Sequence, residues 1–225
     1  MALTLHHLEY SQSFRILWLL EELGADYQLK LYNRDLETSL APADYKALSP
    51  LGTAPVITDG DLVLAESNAI VDYILDQHAG SPLRPGPGDQ FRARYLFWFH
   101  ASQGSLMSAA GIEMVLRVLE ERSPFPINKL LGAIFNKARS GFTAPRLKAI
   151  WDLAEQDLGE APWFGGENVT AADLVLSYPM EAARDRGTFG SDHPNIMAWF
   201  ERVEALPSYK AARKLDDRPG VAFKI

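Results

Sequence analysis

The sequence predicts an α+β half followed by an all-helical half. Three observations carry that reading. Up to about residue 79, short strand-like runs alternate with stretches of helical period. Gly80-Ser81-Pro82-Leu83-Arg84-Pro85-Gly86-Pro87-Gly88 then packs three prolines and three glycines into nine residues, the composition of a linker. Everything after it reads as helix. The expected units are therefore 1–79, a linker at 80–88, and 89–225.

Residues 2–7 alternate weakly and suit a strand. From Ser13 the apolar residues Phe14, Ile16, Leu17, Leu20 and Leu23 recur with helical period, and Gly24 is a good stop. Tyr27–Tyr32 alternates again, so the two strands should be parallel with a right-handed crossover. A short helical turn at 43–48 leads to Pro50. Val56-Ile57-Thr58 and Leu62-Val63-Leu64 flank Asp59-Gly60-Asp61, a compact hairpin signal. A helix follows from Glu66 to about His78.

The second half opens with an aromatic-rich stretch, 89–121, as one long helix or two in series. Pro124 and Pro126 break it, and 127–158 resumes the period. Trp163-Phe164-Gly165-Gly166 reads as a turn that buries aromatics. Thr170-Ala171-Ala172-Asp173 has the form of a capping box, with Val169 and Leu174 as its hydrophobic staple. That box is expected to hold the helical half together, not to touch substrate. Two short helices, 193–205 and 208–215, complete the chain. Segment 123–142 is apolar with interspersed Lys and Arg; a core helix is the favoured reading over a lid, a dimer surface or a membrane-surface contact.

With 225 residues, 47% of them hydrophobic, the chain can bury one large core or two modest ones. No apolar run reaches the roughly 18–20 residues that span a bilayer, so no integral membrane segment is expected. The N-terminus lacks the basic start and cleavage site of a signal peptide. A net charge of −7 without a Lys/Arg block argues against nucleic acid as a partner. No histidine or carboxylate spacing suggests a metal site. Cysteine is absent, which excludes disulfides and a protein thiol nucleophile. Any sulfur chemistry must come from a ligand. The same absence fits a reducing, cytoplasmic location.

The most informative segment is Leu51-Gly52-Thr53-Ala54-Pro55-Val56-Ile57 with Glu66-Ser67-Asn68-Ala69-Ile70 after it. Pro55 enters a strand and has no N–H for the ladder. With a cis bond there, the main chain of Ala54 turns outward to meet a ligand's backbone. The Ser67 hydroxyl and the N–H groups of the following turn form an anion site. Together they suit a small extended peptide ending in a carboxylate.

These motifs, with Val169-Thr170-Ala171-Ala172-Asp173 and Asp192-His193-Pro194-Asn195-Ile196-Met197-Ala198-Trp199, resemble the cytosolic glutathione transferase family over essentially the whole chain. The N-terminal pattern is similar to the bacterial, serine or theta-like type. The resemblance implies a thioredoxin-like first half that binds glutathione and a helical second half that builds the electrophile pocket. By position, Thr53, Ala54 and Pro55 would meet glutathione, Ala54 through its main chain at the cysteinyl part. Glu66 would face the γ-glutamyl ammonium and Ser67 would hold its carboxylate. Thr53 stands where the family often has Lys, with Lys46 and Arg15 as substitutes for that charge.

The implied catalytic step is stabilisation of the glutathione thiolate by a hydroxyl near the first helix. Ser11 aligns best, four residues before Arg15; Tyr10 and Ser13 are the alternatives. A serine here can equally be the cap of that helix. Tyr10, Tyr95, Phe99, His100, Gln103 and Met107 are the candidates for the electrophile pocket. The implied activity is conjugation of glutathione, the co-substrate, to small hydrophobic electrophiles, a detoxification chemistry. A homodimer is implied, and no metal. Peroxide reduction, isomerisation and disulfide reduction would use the same thiolate. A non-catalytic binding module on this fold is a further alternative.

Overall fold

The computed structural model describes residues 3–216. The strand position expected at Ala2 and the end of the helical unit, 217–225, lie outside the described residues. Strand β1 (Leu3–Leu8), helix α1 (Phe14–Leu23) and strand β2 (Tyr27–Tyr32) form the expected β-α-β unit, followed by the one-turn α2 (Ala43–Lys46). Strands β3 (Val56–Asp59) and β4 (Leu62–Ala65) make the hairpin, and α3 (Ser67–Gln77) closes the half. The sheet order is β2-β1-β3-β4. β1 pairs parallel with β2, while the β1–β3 and β3–β4 pairs are antiparallel.

Local chemistry explains the boundaries. Gly24 ends α1 at φ +58, a conformation that only glycine adopts without a Cβ penalty. Gly60 turns the hairpin at φ +59. Alternation along β1 sends His6 and His7 to opposite faces of the sheet. His6 reaches Tyr32 and Thr58, whereas His7 reaches toward the C-terminal helix.

The helical half comprises α4 (Arg92–Ala101), α5 (Ser108–Arg122), α6 (Ile127–Ala138), α7 (Ala144–Glu160), α8 (Ala171–Asp185), α9 (Pro194–Ala205) and α10 (Pro207–Asp216). α4 and α5 are one helical run joined by a π-helical stretch, Ser102–Met107. A second π stretch, Arg139–Thr143, joins α6 to α7. One core spans both halves: Trp18 and Leu17 of α1, Ile70 and Ile74 of α3, Trp98 of α4, and Val175 and Trp199 of α8 and α9 are all at most 1% exposed. α1 packs on both α8 and α10.

The capping box forms as its residues specify. The Asp173 carboxylate accepts the Thr170 N–H at 2.9 Å, the Phe164 N–H at 2.9 Å and the Trp199 indole N–H at 3.0 Å. It therefore ties the 163–166 turn, α8 and α9 together. Segment 123–142 departs from the core-helix expectation. Only Gly132 of α6 is buried, and Phe125, Ile127, Leu130 and Ile134 are all more than half exposed. Its apolar period faces outward because α6 packs chiefly against α5 and the π stretch that follows it.

Candidate functional site

The loop between β1 and α1 carries the three candidate hydroxyls. Tyr10 sits at φ +50, and its carbonyl accepts Arg34 Nη2 at 3.3 Å. The same guanidinium donates to Glu9 O at 3.0 Å and Ser39 O at 3.1 Å, so Arg34 braces this loop against the next one. Ser11 Oγ donates to Leu8 O at 2.7 Å, lies 2.7 Å from Ser13 Oγ, and accepts the Ser13 N–H at 3.2 Å. Ser13 occupies the N-cap position of α1, yet its side chain makes no cap bond to the helix. It turns inward to His7 Nδ1 at 2.9 Å. The first helix is thus entered through Ser11 and the backbone, with neither serine acting as a side-chain cap on the helix itself.

Gln12, between those serines, is a residue that motif reading passed over. Its side-chain carbonyl accepts Ser67 Oγ at 3.4 Å and Gln103 Nε2 at 3.0 Å. The hydroxyl loop, the start of α3 and the π stretch therefore meet at one amide. The only sequence signal for it was its place in the Ser-Gln-Ser run.

On the other side, the Ala54–Pro55 peptide bond is cis. Pro55 is buried, Ala54 partly so and Thr53 exposed. The Lys46 side chain runs along Gly52, where an added Cβ would lie 3.5 Å from its Cγ. Lys46 thereby stands beside the Thr53 position. Arg15 does not: it is fully buried against the Tyr178 ring, with 5.4 Å from Cζ to the centroid. Burial pulls its guanidinium down to about 9, with Tyr178 and Glu181 opposing.

Glu66 is exposed and holds φ +75, while Ser67 is 1% exposed at the head of α3. A positive φ costs a non-glycine residue about 1–3 kcal/mol and is enriched at functional sites. Among the described residues, Tyr10, Ser39 and Glu66 are the non-glycine positions that adopt one. Two of them flank the Gln12 junction.

Of the expected pocket residues, Tyr10, Gln103 and Met107 are partly exposed near that junction and His100 is exposed. Tyr95 and Phe99 instead belong to the core. Each is 2% exposed, and their rings stack at 5.6 Å. A cavity of about 900 Å³ lies in the helical half. Its lining includes Leu106, Met114, Trp151, Ala183 and Arg186, and includes none of Ser11, Pro55, Glu66 and Ser67. Among the described residues no group of His, Asp or Glu could hold a metal ion. Among the described residues no helix is long and apolar enough to cross a membrane.

Comparison with known proteins fits this arrangement. The family model for the glutathione S-transferase N-terminal domain matches residues 1–76, and that for the C-terminal domain matches 143–207. Glutathione S-transferase 3 of Schizosaccharomyces pombe is 31% identical, over 98% of this chain and 91% of its own length. Glutathione S-transferase 1 of Saccharomyces cerevisiae is 27% identical, over 93% of each chain. A solved glutathione S-transferase from Actinobacillus pleuropneumoniae superposes with a TM-score of 0.75 at 34% identity, covering 96% of this chain and 93% of that one. With a thioredoxin-like first half, a helical second half and both family models matched in order, the chain belongs to the glutathione S-transferase family and is an enzyme of that class.

Proposed function

We propose that the enzyme binds glutathione along residues 53–55 and the head of α3, and that Ser11 stabilises its thiolate for attack on a small hydrophobic electrophile. The observation that carries this is the Gln12 junction. A buried Ser67 at a helix N-terminus and the Ser11 loop are held to one another by the amide of Gln12. Ser67 and the first N–H groups of α3 suit the γ-glutamyl carboxylate, because a helix N-terminus favours negative charge. Glu66 faces the ammonium next to it. The main chain of Ala54 pairs with the cysteinyl unit, and Lys46 supplies the cation for the glycyl end.

A free thiol of pKa about 8.5 is only about 3% ionised at pH 7. Lowering it by two units corresponds to about 2.7 kcal/mol of preference for the thiolate. A hydroxyl donor beside the start of α1 works in that direction, since it bonds the charged form better than the neutral one. The electrophile then lies between Tyr10, His100, Gln103 and Met107, with Tyr95 and Phe99 as the rigid wall behind them. Residues 1–79 form the glutathione-binding unit, 80–88 the linker and 89–225 the unit that shapes the pocket. The enzyme works as a cytoplasmic homodimer.

Steady-state conjugation of glutathione to an activated aryl halide tests this reading. Ser11→Ala should lower kcat/KM by about a hundredfold or more. Turnover that survives Ser11→Ala unchanged contradicts it.

A further inference from the structure

Behind Ser11 a line of buried hydrogen bonds runs to the last described helix. Ser11 Oγ lies 2.7 Å from Ser13 Oγ, Ser13 Oγ 2.9 Å from His7 Nδ1, and His7 Nε2 2.7 Å from Asp216 Oδ1. All four residues are less than a tenth exposed. Asp216 is held in turn by Arg213 at 3.3 Å, and Arg213 also bonds the Glu181 carboxylate of α8. The line joins positions 209 apart in the chain at its His7–Asp216 step.

Its polarity follows from the donors available. A carboxylate can only accept, so His7 carries its proton on Nε2, toward Asp216. In the neutral ring Nδ1 then offers a lone pair, and Ser13 donates to it. Having given its one proton, Ser13 Oγ accepts the Leu8 N–H at 3.2 Å and is open to a bond from Ser11. Ser11 has one proton and two acceptors at 2.7 Å, Leu8 O and Ser13 Oγ; when the hydroxyl turns from Leu8 O to Ser13, every bond points inward from Ser11 to the ring. In that arrangement the line can receive a proton at its outer end and pass one to the imidazole.

We propose that His7, backed by Asp216, takes up the proton of the glutathione thiol through Ser13 and Ser11. This rests on Ser11 being the hydroxyl that meets the sulfur. The S–H bond breaks and its proton passes to Ser11 Oγ. The original Ser11 proton moves to Ser13 Oγ, and the original Ser13 proton moves to His7 Nδ1. The products are a thiolate and an imidazolium; no electron changes owner and no further reactant is needed. The same transfer reverses each hydrogen bond. His7 now donates to Ser13, Ser13 to Ser11, and Ser11 to the thiolate. Ionising the sulfur thus turns the hydroxyl toward it.

The surrounding charges suit that outcome. The charged group facing the ring is Asp216; behind it stand Arg213 and Glu181, with Arg184 and Arg15 also acting on Glu181. A proton arriving on His7 meets the Asp216 carboxylate directly. His6, the neighbouring imidazole, faces the other side of the sheet with Tyr32 and Thr58 and takes no part. Ser13 and His7 act through Ser11 and are positioning residues.

The test counts protons. Glutathione binding is followed by calorimetry in two buffers of different ionisation enthalpy, and bound thiolate is measured by its ultraviolet absorbance. Wild-type protein should form thiolate with no net proton released to the buffer. His7→Asn should release about one proton for each thiolate it forms, and Asp216→Asn should shift the count the same way with kcat/KM down about tenfold. Release of one proton per thiolate by the wild type overturns the proposal, and that count needs no variant to fold. A wild type that releases the proton while Ser11→Ala loses the thiolate sinks the relay and leaves Ser11 as donor. If Ser11→Ala keeps the thiolate, the assignment of Ser11 fails, and the relay with it.

Discussion

Gln103 donates its side-chain amide to the carbonyl of Gln12 at 3.0 Å, joining the helical half to the loop that carries Ser11. Gln103 lies in the π stretch Ser102–Met107, a feature often found beside functional sites. Gln12 also accepts Ser67 Oγ at 3.4 Å. Gln12→Ala removes the acceptor for both donors and frees Ser67 from the loop. Glutathione affinity should fall about fivefold, by roughly 1 kcal/mol. Gln103→Ala leaves the Ser67 bond in place and should cost less. Calorimetric titration of both variants checks the order.

Asp173 is predicted to act on stability and not on glutathione. Its carboxylate is fully buried and accepts donors from Thr170, Phe164 and Trp199. Asp173→Ala leaves those donors without a partner in an apolar interior and should cost about 3 kcal/mol or more. Asp173→Asn keeps one acceptor and should cost less. Urea midpoints at constant slope report both values, and glutathione affinity of the folded fraction should stay unchanged.

Arg15 carries the opposite expectation. Its guanidinium is fully buried, and none of its nitrogens has a hydrogen-bond partner among the described residues. The Tyr178 face at 5.4 Å is its compensation. Replacing a buried, poorly paired charge with an apolar side chain of similar length is often neutral or stabilising by about 1–4 kcal/mol. Arg15→Met should therefore raise the thermal midpoint. A drop of several degrees would show that the ring contact outweighs the desolvation of the charge.

His6 makes stability depend on pH. Burial, helped by Lys30, holds its imidazole below the ordinary histidine range, so the folded state binds this proton less readily than the unfolded chain. Between the lowered value and the unfolded value of about 6.5, the unfolded state carries more protons, and stability rises with pH across that window. His6→Gln should flatten this part of the profile while keeping a polar group near Tyr32 and Thr58. Denaturant midpoints at about pH 5.5 and 7.5, compared between the two proteins, isolate the contribution.

Much of the fold was legible because its signals are local. Gly24, the Asp59-Gly60 turn and the Thr170–Asp173 box each fix a boundary through neighbours in sequence. The strand entry at Pro55 and the helix start at Ser67 were legible for the same reason. The rest depends on distance along the chain. Nothing near Gln12 announces that Gln103 will lie 3.0 Å away, and nothing near His7 announces Asp216. The π stretches leave no mark in an apolar period that α-helix also satisfies. Tyr95 and Phe99 share one helical face with Gln103, and spacing alone cannot tell a core stripe from a cleft stripe. The outward-facing apolar residues of α6 look like core for the same reason.

The most direct measurement is an ultraviolet titration of glutathione thiolate bound to the wild type and to Ser11→Ala. The account predicts that the bound thiol ionises about two pH units below its free value of about 8.5, and that Ser11→Ala moves it back up by about one unit or more while glutathione still binds. A shift that persists in Ser11→Ala, or a bound thiol that ionises as it does in water, would contradict the claim that this hydroxyl stabilises the thiolate.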